Sequence, residues 1–146
     1  MNNSDNMTIL IIDDDDVSCE AVIRSVKKQG VNTPVVTARD GLEGLEILKN
    51  LHPSKHINGP HIVLLDLNMP RMNGFEFLRE IRSDEKLKST VVFILSTSNN
   101  KKDVLNAYNK QVAGYMTKSS QGTHFQSLGK LISDYNSAIT LVDTAQ

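Results

Sequence analysis

A single cysteine, Cys19, is all the thiol chemistry this chain has. One cysteine excludes an intramolecular disulfide framework and fits a reducing compartment. No apolar stretch approaches the roughly 20 residues needed to cross a bilayer. The segment Met1 to Asn6 also lacks the basic and apolar regions of a signal peptide. No membrane association and a cytoplasmic location are therefore expected. An excess of one charge sign is missing too, since 16 basic and 17 acidic residues leave a formal net charge of -1. No global field draws in nucleic acid or anionic lipid. The basic residues do not cluster beyond pairs such as Lys27-Lys28 and Lys101-Lys102, and no DNA-binding domain is expected. There is no internal repeat, low-complexity tract or second composition regime. The remaining description is ordinary: 146 residues, 39% hydrophobic and 23% charged, suit one soluble globular domain with one core.

What the chain does have is a set of apolar runs that end on chemically capable residues. Ile9-Leu10-Ile11-Ile12 leads into Asp13 and Asp14, and Ile62-Val63-Leu64-Leu65 into Asp66. Val91 to Leu95 ends at Ser96, and Ala113 to Thr117 at Lys118. Apolar residues on both faces of such runs suit strands covered by helices on both sides. Val35-Val36-Thr37 reads as one further short strand. Between the strands lie helical patterns: Val17, Ala21, Val22 (with Ile23) and Val26, capped by Asp15 or Asp16 and stopped at Gly30; Leu42, Leu45 and Leu48 (with Ile47 and Leu51) after Asp40-Gly41. Further helices carry Phe75, Phe77, Leu78 and Ile81 after Gly74, run from about 101 to 110, and carry Phe125, Leu128, Leu131, Ile132 and Tyr135. His52 to Pro60 is a loop, long for a helix-to-strand connection and expected to be the most mobile internal segment.

Strand and helix alternate five times. That order predicts an α/β fold with a parallel sheet, right-handed crossovers and helices on both faces. Open sheets of this kind bind ligands outside the carboxyl ends of their strands. Residues 1–7 are expected to be a polar tail, 8–138 the domain, and 139–146 a C-terminal tail, with no output domain attached.

Three carboxylates in one crevice, Asp13, Asp14 and Asp66, repel one another and raise at least one pKa unless a cation sits among them. A hard divalent ion with oxygen ligands relieves that repulsion, and Mg²⁺ commonly uses one or two carboxylates plus waters and substrate oxygens. Phosphoryl transfer to a carboxylate further needs a cation and a donor on the remaining oxygens. Lys118 and Ser96 supply those two groups. Each residue alone has a plainer reading: an Asp-Asp pair caps helices, and a lysine after a strand is a solvated end.

Val63-Leu64-Leu65-Asp66-Leu67-Asn68-Met69-Pro70-Arg71-Met72-Asn73-Gly74 resembles the phosphorylation-site signature of response-regulator receiver domains. Ile11-Ile12-Asp13-Asp14 resembles their acidic pair, Leu95-Ser96 their hydroxyl position and Tyr115-Met116-Thr117-Lys118 their aromatic-to-lysine segment. The resemblance spans about residues 8–138. It implies a flavodoxin-like, doubly wound (βα)5 sandwich with a five-stranded parallel sheet of order 2-1-3-4-5. It also implies a CheY-like two-component switch, not an enzyme beyond its own phosphorylation and slow autodephosphorylation. Asp66 would take the phosphoryl group from a histidine kinase or a histidine phosphotransfer protein. Mg²⁺ (or Mn²⁺) would be held by Asp14, Asp66 and the backbone carbonyl of Asn68, with Asp13 acting mainly through water. Lys118 would contact the phosphoryl oxygens, and Ser96 would donate to one and move inward, letting Tyr115 turn from exposed to buried. Asn68 and Ser98, each two residues beyond a site residue, would set the dephosphorylation rate.

Two positions depart from the family pattern. Ser119 follows Lys118 where most receivers have a proline, commonly after a cis bond; before serine a cis bond costs about 2.5–4 kcal/mol. Ser96 stands where threonine is commoner, keeping the hydroxyl and losing the methyl. The Lys118-Ser119 junction, the His52–Pro60 loop and Ser96-Thr97-Ser98 resemble stand-alone receivers that partner phytochrome-type histidine kinases. Signalling would then run through a downstream protein partner. Homodimers through the fourth helix, fifth strand and fifth helix, or through the tail carrying Ile139, Leu141 and Val142, fit the same resemblance.

An aspartate-nucleophile phosphatase or phosphotransferase is the competing enzymatic reading. Asp13 and Asp15 satisfy the Asp-x-Asp spacing of haloacid-dehalogenase-like hydrolases, but 146 residues leave no room for a cap domain, and Asp66 would go unused. A receiver that binds partners without phosphorylation is disfavoured by the full set of charged site residues. Elsewhere the plainer readings stand. His52 and His56 have i, i+4 spacing but lie in a loop; His61 and His124 are structural or exposed. Cys19 is a core residue, Asp15 and Asp16 cap a helix and complement its dipole, and Met69, Met72 and Met116 pack.

Overall fold

The computed structural model describes residues 7–30, 32–118 and 123–141, with side chains left out at 123–126. Five strands, β1 (Thr8–Ile12), β2 (Val35–Ala38), β3 (His61–Leu65), β4 (Val91–Ser96) and β5 (Gly114–Thr117), alternate with five helices. The helices are α1 (Asp16–Lys28), α2 (Gly41–Leu48), α3 (Gly74–Arg82), α4 (Lys101–Asn109) and α5 (Thr123–Ala138). All four strand pairings are parallel, in the order β2-β1-β3-β4-β5. The expected α/β architecture and strand order are what the chain adopts.

The two-residue period of a strand divides the core into two halves. Ile9, Ile11, Ile62, Leu64, Phe93 and Leu95 pack with Cys19, Val22 and Val26 of α1 and Leu128 and Ile132 of α5. Leu10, Ile12, Val63, Leu65, Val92 and Ile94 face the other way, onto Leu45 and Leu48 of α2, Phe77, Leu78 and Ile81 of α3 and Ala107 of α4. Every residue of β1 and β3 is buried, which is why these runs are apolar without alternation. Burying Phe77, Leu78 and Ile81 completely contributes about 2 kcal/mol each to holding α3 on the sheet.

Several expectations need correction at the level of side-chain direction. Val17 is 77% exposed; at 100° per residue it lies about 140° around α1 from the buried Val22. Leu51 is 70% exposed because α2 already ends at Leu48, and Leu42 and Leu131 also reach solvent. Met7, read from the sequence as part of the polar tail, is fully buried in the α1–α5 half of the core. Its N–H donates to Asn136 Oδ1. The loop between α2 and β3 is also tied down. His52 Nε2 lies 3.0 Å from Glu43 Oε2, and its Nδ1 accepts from the Ser54 and Lys55 N–H groups. Lys55 Nζ donates to the Thr37 carbonyl at 2.6 Å, and Ile57 is buried. His52 is thus a turn-forming residue and not half of a metal site with His56. Val142, Ser119 (with the state of the Lys118-Ser119 bond) and the side chains of His124 and Phe125 lie outside what the structure describes.

Helices α1 and α5 meet at Gly129, where a Cβ would overlap both the hydroxyl and the carbonyl of Ser25. Alanine there gains about 1 kcal/mol of helix propensity but drives the helices apart, a strain of about 1–3 kcal/mol. Gly129→Ala is therefore expected to lower stability by about 1 kcal/mol in urea denaturation. An increase in stability would mean that α5 can slide without cost.

Candidate functional site

Sheet hydrogen bonding places the site residues. The ladder runs one rung beyond the strands: Asp66 N–H donates to the Ile12 carbonyl, Asp13 N–H to the Ala38 carbonyl and Lys118 N–H to the Ser96 carbonyl, at 2.9, 2.9 and 2.6 Å. Each residue is thus held at the carboxyl edge by main-chain bonds of the sheet. Gly74 completes the setting, because a Cβ there would lie 2.5 Å from the Asp66 carbonyl oxygen. Only glycine lets α3 start this close to Asp66. A capping box between Asn73 and Glu76 then starts the helix.

Three carboxylates and one ammonium converge at this edge. One oxygen from each of Asp13, Asp14 and Asp66 lies within 4.8 Å of the others. Lys118 Nζ is 2.7 Å from Asp13 Oδ2 and 3.7 Å from Asp66 Oδ2. Asp13 Oδ1 accepts from the Asp15 N–H, and Asp66 Oδ1 accepts from the Leu67 N–H. Asp13 and Asp66 are buried, whereas Asp14 is open to solvent. Asp15 does not join them: it caps α1, accepting from Val17 N–H and the Ser18 hydroxyl. Asp16 is exposed beside Arg39.

The electrostatics are strained in one direction. Burial first, and the Asp13 carboxylate second, push the Asp66 pKa up to about 6, against the opposing pull of Lys118 and the Leu67 and Asn68 amides. Burial is also the largest influence on Lys118 and works to lower its pKa. The hydrogen bond and charge of Asp13, with Asp66 and Asp15, outweigh it and hold the ammonium above the usual lysine range. When all four groups are ionised, one ammonium leaves two negative charges uncompensated. A divalent cation would neutralise that charge, and a crowded, oxygen-only donor set with an exposed member fits Mg²⁺ or Mn²⁺. Cys19 lies beneath the site, its Sγ 3.8 Å from the Asp13 carbonyl. Burial, then the charge of Asp13, pushes its pKa up to about 11, so the thiol stays protonated and unreactive.

On the β4–β5 side, Ser96 is fully buried and its Oγ accepts from the Ser98 N–H at 3.1 Å. Tyr115 is half-buried and its hydroxyl donates to the Ser98 carbonyl at 2.7 Å. The Ser98 hydroxyl donates to Asp103 Oδ2, also at 2.7 Å. Ser98 therefore links the Ser96 hydroxyl, the Tyr115 phenol and the first turn of α4. Asn68 is exposed at the mouth. Sequence reading missed Asp103, whose only signal is a carboxylate in the first turn of a helix.

Residues 9–128 match the family described as the response regulator receiver domain. Response regulator Rcp1 of Synechocystis sp. is 33% identical over 111 residues, which make up 76% of this chain and 76% of Rcp1. The crystal structure of the phosphorylated cyanobacterial phytochrome response regulator RcpA superposes with a TM-score of 0.79 at 31% identity, over 93% of this chain and 98% of that one. The Mn²⁺-bound form of response regulator Rcp1 gives 0.80 at 30% identity, over 93% and 99%.

Proposed function

This chain belongs to the response regulator receiver family, and from that premise we propose that Asp66 accepts a phosphoryl group and that the domain signals by binding another protein. The observation that carries this reading is the pairing of a buried, charge-crowded Asp66 with the Lys118 ammonium at the sheet's carboxyl edge. A carboxylate oxygen of Asp66 attacks phosphorus, and the bond from phosphorus to the donor breaks. For a phosphohistidine donor, the imidazole leaves and takes up a proton from solvent. Lys118 neutralises a phosphoryl oxygen, and the Ser96 hydroxyl exchanges its present contact with Ser98 N–H for another. Asp13, Asp14, Asp66 and the Asn68 carbonyl would hold Mg²⁺ or Mn²⁺, which when bound offsets charge on the transferring group.

Ser96 leaving Ser98 loosens the same residue that Tyr115 and Asp103 hold, so the phosphoryl group biases both β5 and α4. Asn68 and Ser98 would then tune the lifetime of the acyl phosphate. Exposed Leu105 and Tyr108 on α4 and Leu131 on α5 support a downstream protein contact, or a homodimer, on that face. The likeness to a phytochrome response regulator supports a phytochrome-type histidine kinase, or a phosphotransfer protein, as donor. Among the described residues no helix is long and apolar enough to cross a membrane, and a cytoplasmic receiver over residues 8–138 fits the family.

Incubation with Mg²⁺ and a small acyl phosphate is expected to add one phosphoryl group per chain, to be stopped by a chelator and to be absent in Asp66→Asn. Continuous turnover of a phosphomonoester, lost in Asp13→Asn and kept in Asp66→Asn, would instead identify the phosphatase.

A further inference from the structure

The loop that carries Asn68 away from Asp66 is fastened to a helix that takes no part in the site. Arg71 Nε donates to Asp40 Oδ2 at 2.7 Å and Nη2 to Asp40 Oδ1 at 3.2 Å. One residue on, the Gly41 N–H donates to the Met72 carbonyl at 3.0 Å. A Cβ on Gly41 would stand 2.8 Å from Met72 Cγ and 2.9 Å from its carbonyl oxygen, so the start of α2 abuts the loop directly. Asp40 is buried and also caps α2, its Oδ1 accepting from the Glu43 N–H. Burial is the largest influence on its carboxyl and acts to raise the pKa; the Arg71 and Glu43 contacts outweigh it and keep it below the usual range.

Arg71 holds this contact in an unfavourable backbone conformation. Its φ is +62°, in the left-handed region that glycine enters freely and a residue with a side chain does not. An arginine there brings a planar two-pronged donor that matches a carboxylate. Its side chain is 60% exposed, so solvent screens the attraction and leaves little of it as stability. The two contacts instead fix where the loop runs.

We propose that Arg71 and Asp40 form a positioning pair that sets the Asn68 carbonyl relative to Asp66, and so tunes divalent-cation affinity from outside the site. This inference rests on the receiver reading above. The test compares wild type with Arg71→Gly, Asp40→Asn, the double variant and Arg71→Lys. Glycine removes the guanidinium and accepts the positive φ, while asparagine keeps the α2 cap. Thermal midpoints of the single variants should therefore stay within about 3 °C of wild type.

Mg²⁺ affinity, measured by titration of the unphosphorylated protein, should fall about tenfold in both single variants. It should fall no further in the double variant and should recover in part in Arg71→Lys. Amide exchange at Gly41 should also quicken in the metal-free single variants. Mg²⁺ affinity within twofold of wild type in Arg71→Gly and Asp40→Asn would overturn the pairing and leave the receiver reading intact. A wild type that binds no Mg²⁺ would overturn the receiver reading itself, and the pairing with it.

Discussion

Asp66→Asn is expected to stabilise the metal-free protein at neutral pH by about 3 kcal/mol, raising its thermal midpoint by roughly 9 °C. The native state holds this carboxyl near pKa 6, chiefly through burial and then through Asp13. The unfolded chain returns it to the ordinary 3.8. For a carboxyl raised on folding, the native state binds the extra proton. The associated stability is complete below about pH 4, declines as pH rises through about 6 and is gone above about 7. A rise of this size, already net of the attraction to Lys118, corresponds to about 3 kcal/mol. Asparagine carries no charge and still accepts from the Leu67 N–H. The gap between variant and wild type should therefore open between about pH 4 and about pH 7 and stay constant above that. Millimolar Mg²⁺ should close or reverse it, because only wild type keeps the carboxylate ligand. Thermal melts across this pH range, with and without Mg²⁺, check the sign. Identical midpoints at every pH would mean that Asp66 is not held against its charge.

The second large effect lies away from the site. Arg82 is half-buried and has no carboxylate partner among the described ion pairs. Its guanidinium donates to four backbone carbonyls: Lys110 at 2.8 Å, Lys88 at 2.7 Å, Thr90 at 2.8 Å and Gln111 at 3.0 Å. These bonds join the end of α3 to the approach to β4 and to the turn between α4 and β5. Burial lowers the pKa of the guanidinium, but arginine remains protonated. Arg82→Met keeps the apolar stem and removes every donor, so the carbonyls depend on whatever water reaches them. The expected loss is about 3 kcal/mol, or roughly 6–12 °C in thermal midpoint. Arg82→Lys should recover less than half of it, since an ammonium cannot span four acceptors. A loss under about 0.5 kcal/mol in Arg82→Met would show that solvent replaces the guanidinium without cost.

Arg82 also marks where sequence reading stops. The strands were legible because β1 and β3 are buried on both faces and carry unbroken apolar runs. The residues after those runs were legible as a site because a parallel sheet brings carboxyl ends together, and main-chain bonds such as Asp66 N–H to Ile12 carry that order to the edge. Rotation about a helix axis was less accessible. Val17 fits the apolar spacing of α1 as well as Val22 does, and only the position of the sheet separates them. Partnerships across the fold left no signal at all. Asp40 and Arg71 are 31 residues apart, and a cation caged by carbonyls has no sequence counterpart to be matched with. The prolines and polar residues around His52 mark only a loop, whereas its contact with Glu43 on α2 decides how that loop is held.

Among the carboxylates at this edge, Asp66 is the one proposed to become an acyl phosphate. Borohydride reduces an aspartyl phosphate to homoserine, which peptide mass mapping locates to a single residue. After phosphorylation with a small donor and Mg²⁺, homoserine is expected at position 66 and at no other aspartate. Homoserine at Asp13 or Asp14, or none anywhere in a protein that binds Mg²⁺, would contradict the account.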